Sequence, residues 1–275
     1  MSKRKLNKLW LLGIVCVSGL GALLGALALR YSFDFTIGQF VPHSPLWILT
    51  LILGLVVLFA AGLYPILVLK RENYSPDYKI SPFMDFSSLF AASMLVLDAA
   101  STLLRNRTLG QNVLTVKAIL AVAAALFFVA LFTKRALGTP IMTFLAGLTT
   151  LWAVFEAFYS FLNPLFSMTS PFRTYPQFPC LALAIFMLME AKASDKKARE
   201  NTPNVASTEK KPLSTKFLLA ASAASGALCT LIGGAIVISY VLNWNRDAFP
   251  ATDGLWMVAL GIYAFARTKQ ILFRK

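Results

Sequence analysis

Histidine occurs once in the 275 residues, as His43, and cysteine three times. One imidazole cannot furnish a histidine-rich metal centre, and Ser-His-Asp chemistry would have to rest on that single ring. Cys16, Cys180 and Cys229 have no paired spacing, so neither a disulfide framework nor a metal site is expected. No phosphate-cradling glycine loop, H-E-x-x-H or G-x-S-x-G pattern occurs. These absences leave no cofactor to expect and tilt the reading away from an enzyme. Two buried carboxyls could still divide acid and base roles, but no pair here carries a recognisable spacing.

Charge is scarce too. Charged residues make up 14 % of the chain and hydrophobic ones 57 %, against about 25 % and roughly 45–50 % in soluble domains. What fills the chain instead is long apolar runs: 10–29, 46–69, 87–104, 113–133, 141–162, 178–191, 217–242 and 254–266. About 20 such residues cross a bilayer core. The sixth and eighth are shorter than a comfortable span. Ser44-Pro45, Ser81-Pro82 and Thr139-Pro140 each set a capping hydroxyl before a proline suited to a first helical position. The first run lacks a cleavage pattern and is expected to be retained.

The formal net charge of +14 suggests nucleic acid, but its distribution argues for topology. With the amino terminus cytoplasmic and eight crossings, all but six of the 26 basic residues fall in cytoplasmic segments. The exceptions are Arg30, Arg105, Arg107, Arg173 and Arg246 outside, with Lys117 within a helix. That is the positive-inside pattern, and it places both termini in the cytoplasm, in a plasma membrane. The polar stretch 192–216 reads as a solvated basic linker near anionic headgroups. Trp10, Trp47, Trp244 and Trp256 fall at expected interfaces. No nucleic-acid partner is expected.

The chain is also written twice. Tyr31-Ser32-Phe33 and Arg71-Glu72-Asn73 return as Tyr159-Ser160-Phe161 and Arg199-Glu200-Asn201, 128 residues on. Gly19 maps to Gly147 at that displacement, and Ala91-Ala92-Ser93 to Ala220-Ala221-Ser222 one residue later. The fold expected is therefore an all-α integral membrane protein. Its eight transmembrane helices form two tandem four-helix repeats, 1–137 and 138–275. Each repeat has an even number of crossings, so the two run parallel, about an axis along the membrane normal. Gly21 and Gly25 in the first run, and the small residues from Ala220 to Ala227, mark close helix approach. The aromatic-rich stretches 31–45 and 163–180 read as interfacial anchors or as caps over a seam between the repeats.

Ionisable residues inside such runs are costly and point to function. Asp98, Lys117 and Glu156 all fall roughly 6–9 Å below the expected outer boundary, on the third, fourth and fifth runs. Asp98 and Lys117 can pair across adjacent antiparallel helices, and Glu156 can face the same space. Glu190, beside Lys192, is expected at the cytoplasmic interface. At the repeat displacements, Glu156 corresponds to Ala28 and Asp98 to Ala227, so the scaffold itself does not require these acids. A small-molecule carrier follows, with Asp98, Glu156 and Lys117 binding a small molecule or ion between the repeats in the outer half. The alternative is a non-catalytic sensor, assembly factor or subunit, docking a partner protein or a second copy of the chain through its linker or loops.

Overall fold

The structure, a computed structural model, describes residues 3–34, 39–41, 43–67, 81–109, 112–133, 140–162, 177–200, 212–244 and 250–273. Among these residues eight helices occur: α1 (Lys3–Tyr31), α2 (Pro45–Leu67), α3 (Pro82–Leu109), α4 (Asn112–Phe132), α5 (Pro140–Leu162), α6 (Gln177–Glu200), α7 (Pro212–Val241) and α8 (Ala251–Leu272). Six are long and apolar enough to cross a membrane, and the chain is an all-α, multi-pass membrane protein. The two that fall short by composition are α6 and α8, the same two that the sequence marks as short.

Proline sets several helix starts, since its fixed φ suits the first turn and its missing N–H is unneeded there. Pro45, Pro82 and Pro140 open α2, α3 and α5, and Ser81 Oγ accepts the Met84 N–H at 3.2 Å. The only strands among the described residues form a two-residue antiparallel pair, β1 (Phe33–Asp34) with β2 (Gln39–Phe40). Phe33 and Phe40 are buried, and Phe40 stacks on Trp47 at 3.7 Å. Of the second aromatic-rich stretch, 163–176 lies outside the described residues.

Neighbouring helices define a closed ring. α3 packs on α4, α4 on α5, α5 on α6, α6 on α7, α7 on α8, and α8 back on α3. The α1–α2 hairpin stands outside the ring and packs along α7. Glycine allows the closest approaches. A Cβ on Gly233 would lie 2.5 Å from Met257 Cβ and 2.9 Å from the Gly254 carbonyl, joining α7 to α8. A Cβ on Gly21 would meet Leu231 on α7 at 2.7 Å. Close backbone approach is how helices gain contact in lipid.

Three expectations are corrected. The polar stretch from 192 is not linker from its start. Its first part, 192–200, continues α6, because alanine, lysine, arginine and glutamate sustain a helix without an apolar face. Lys216 lies within α7, where its Nζ donates to the Ile66 carbonyl at 3.3 Å and satisfies the end of α2. Residues 201–211 lie outside the described residues. Trp256 does not face the surroundings as a belt residue would: it is 1 % exposed, edge-on to Trp152 at 5.0 Å inside the ring. Glu190 is not interfacial either, for reasons that belong to the candidate site.

Candidate functional site

The ring interior carries four layers of side chains. At the end where α3 passes into α4, Lys117 projects from α4 among three carboxylates. Its Nζ lies 3.1 Å from Glu156 Oε1 on α5, 3.7 Å from Asp253 Oδ1 on α8 and 3.8 Å from Asp98 Oδ2 on α3. Four helices thus meet at one ammonium, which also sits 4.8 Å from the centre of the Tyr159 ring. Side chains of Asp98, Lys117 and Glu156 are 1 %, 6 % and 6 % exposed, while Asp253 is 24 % exposed. Asp253 is therefore the member nearest the surroundings. Beside Lys117, the Thr252 hydroxyl of α8 is the polar side chain near the Asp98 carboxylate.

All three residues singled out in the sequence come together here. Asp253 was missed because the eighth apolar run starts at Gly254, one residue beyond it. Its signal was present: Pro250-Ala251-Thr252-Asp253 reads as a helix opening with an acid in the first turn, where the helix dipole favours it. Nearby, Ser101 on α3 donates to Thr252 Oγ1 at 3.4 Å, which ties α8 to α3 at this level.

One turn inward lie Trp152 and Trp256. Trp152 precedes Glu156 by four residues on α5, and Trp256 follows Asp253 by three on α8, so each indole shares a face with an acid. Both are buried, and neither indole N–H has a hydrogen-bond partner among the described residues. Below them Phe128 of α4 and Phe186 of α6 pack against Tyr263 of α8, at 4.9 Å and 6.0 Å.

The innermost layer is a second ion pair. Arg267 of α8 donates from Nε to Glu190 Oε1 at 2.5 Å and from Nη2 to Oε2 at 3.3 Å. Its Nη1 donates to Gln270 Oε1 at 2.8 Å. Both charged residues are fully buried, which overturns the interfacial placement of Glu190. Counting charge along the sequence put Arg267 with the inner basic residues, but helical periodicity turns it into the ring. A two-pronged Arg–carboxylate pair satisfies both partners locally.

Chemically the two charged layers differ. The Glu190–Arg267 layer is balanced. The Lys117 layer sets one buried cation against three acids, with the exposed Arg105 guanidinium acting on Asp98 from two turns further along α3. No group of three or more His, Cys, Asp or Glu residues arranged to hold a metal occurs among the described residues. No protein-family model, no curated protein and no solved structure matches this chain.

Proposed function

We propose that the protein is a small-molecule carrier or permease-like protein of the plasma membrane. Its binding site is the acidic layer, in the outer half, between two tandem parallel four-helix repeats, 1–137 and 138–275, with both termini cytoplasmic. Asp98 and Glu156 bind a cation, a proton or a polar group, and Lys117 neutralises or releases them. Asp253 joins them as the most accessible acid. The observation that carries this reading is that two buried acids, Asp98 and Glu156, and the partly exposed Asp253 share one buried base, Lys117, at a point where helices of both halves meet. Buried charge without equal countercharge is destabilising, and a fold that keeps it does so for a ligand or a proton.

The duplication supports the same reading. At the 128-residue displacement Asp253 corresponds to Ala125, as Glu156 does to Ala28, and Asp98 corresponds to Ala227 one residue later; all three alanines are buried. One copy of each position is apolar core, so the acids answer to a task rather than to the scaffold. The two copies are not packed alike: α1 and α2 flank the ring, whereas their counterparts α5 and α6 form part of its wall.

Reconstitution in vesicles enclosing a pH-sensitive dye tests the assignment, with a panel of small cations and polar solutes added outside. Asp98→Asn and Glu156→Gln abolish the flux seen with the unaltered chain, while both variants remain folded. Flux indifferent to both substitutions sinks the carrier reading. Co-purification of a partner together with that indifference selects the subunit alternative.

A further inference from the structure

We propose that the site takes a small organic ammonium ion bearing a hydrogen-bond acceptor about one helical turn, ~6 Å, from its nitrogen. This deepens the carrier reading and rests on its assignment of the acidic layer as the binding site. Two independent observations meet in it. The first is the acidic layer, which already holds one ammonium in the form of Lys117: three carboxylates within 3.8 Å and the face of Tyr159 at 4.8 Å. Those are the groups that recognise an alkylammonium, charge from the carboxylates and quadrupole attraction from the ring. Lys117 acts as a tethered stand-in, and its three carboxylate neighbours outnumber it even with Arg105 acting on Asp98, so the layer favours a further cation.

The second observation is the pair of orphaned indole N–H groups on Trp152 and Trp256, 0 % and 1 % exposed. A buried donor without an acceptor costs about 1–3 kcal/mol, and native folds seldom leave two side by side. The indoles lie one turn below Glu156 and Asp253 and touch each other edge-on. Helical spacing sets each on the same face as its acid, one turn away along the helix. A metal ion gains nothing from such donors, because an N–H presents its positive end. An alkylammonium with a hydroxyl, carbonyl or ether at its far end satisfies both levels: its N–H groups meet the acids, and its oxygen accepts from the indoles. Asp253, the one partly exposed acid, is the point of first contact.

Calorimetric titration of the full chain in lipid nanodiscs tests this with three probes: aminobutanol, pentylamine and potassium chloride. Aminobutanol binds saturably and about tenfold more tightly than pentylamine, which has the same length but no acceptor. Potassium at equal concentration does not compete. Trp152→Phe and Trp256→Phe retain the rings and remove only the donors. Each lowers aminobutanol affinity about tenfold and leaves pentylamine unchanged. Lys117→Ala, which removes the tethered ammonium, raises the affinity for both amines, and added aminobutanol restores its lost thermal stability. Absent saturable binding, equal binding of the two amines, or phenylalanine variants that bind like the parent overturn the proposal. So does a Lys117→Ala protein that amines neither bind nor stabilise. Flux dependent on Asp98 and Glu156 without amine binding rejects this ligand class and leaves the carrier reading standing. Amine binding without any flux does the reverse.

Discussion

The surplus of acid in the Lys117 layer makes an asymmetric prediction about stability. Taking an effective dielectric of about 20, Lys117 attracts Glu156 by about 5 kcal/mol and Asp98 and Asp253 by about 4 kcal/mol each, from their separations of 3.1, 3.8 and 3.7 Å. The acids repel one another as well. All three oxygens lie around one nitrogen, so no two can be further apart than about 7.5 Å, and each acid pair repels by at least about 2 kcal/mol. Neutralising Asp98 therefore forfeits about 4 kcal/mol of attraction and relieves at least as much repulsion, besides the desolvation of one buried carboxylate. Asp98→Asn and Glu156→Gln should change stability by less than about 1 kcal/mol. Lys117→Met loses every attraction at once. Protonation of the abandoned acids limits the damage to about 3–5 kcal/mol, the usual loss when one side of a buried pair is removed.

A thiol-reactive dye provides the assay, because Cys180 and Cys229 are buried and become reactive on unfolding. For a chain of this size the expected fall in Tm is about 10 °C for Lys117→Met, against less than about 3 °C for either acid variant. Equal losses for Lys117→Met and Asp98→Asn would refute the reasoning. They would show a balanced structural cluster, with the surplus charge cancelled by something other than a ligand or a proton.

The balanced layer should behave oppositely. Glu190→Gln and Arg267→Met each lower stability by about 3–5 kcal/mol in the same dye assay, while a Glu190→Leu, Arg267→Met double variant returns close to the parent. Gly233→Ala, whose Cβ would press on Met257 and the Gly254 carbonyl, costs about 1–3 kcal/mol, whereas Gly147→Ala, with nothing within 4 Å, is neutral or slightly stabilising; a matched pair of melting curves decides it. Chains 1–137 and 138–275 expressed together should co-purify through a tag on either one, since the ring closes through α4 on α5 and α3 on α8. The 138–275 chain alone should aggregate, because Glu156 and Asp253 lose Lys117. Monodisperse behaviour of that chain by itself, with a melting curve like that of the intact protein, would contradict the ring as the stabilising unit.

Much of this was legible in the sequence because lipid imposes simple rules. A long apolar run has little choice but to become a helix when no water is present to satisfy its backbone, so the eight runs became eight helices. That Asp98, Lys117 and Glu156 meet was expected from counting residues to a shared boundary, since a common level on adjacent helices is enough to suggest a contact. What the sequence concealed were partners decided by rotation about a helix axis. Glu190 and Arg267 lie at run ends beside other charges, and residue counting alone cannot separate an end that faces headgroups from one that faces a neighbour. Trp256 was lost the same way, since an aromatic near a boundary suits an interface belt as well as a buried contact. Ring closure through α8 on α3 joins residues about 150 apart in sequence, such as Ser101 and Thr252, and no local pattern encodes it.

The low hydropathy of α8 has a physical cause in the ring. Its side chains enter every interior layer: Asp253 among the acids, Trp256 against Trp152, Tyr263 in the aromatic layer and Arg267 in the inner pair. Fourteen of its 22 residues are buried, including Arg267 and Thr268, so little of its surface remains to face lipid. A helix that must project charge inward along its length cannot also be uniformly apolar, and it tolerates that composition only where other helices replace the acyl chains around it. The same reasoning fixes an order of dependence. The apolar α3, α4, α5 and α7 can cross on their own composition, whereas α8 needs α4 and α6 in place before Asp253 and Arg267 find Lys117 and Glu190. The two segments that look weakest as membrane helices, α6 and α8, are thus the two joined by the buried Glu190–Arg267 pair, and their low hydropathy goes with the charge they carry inward.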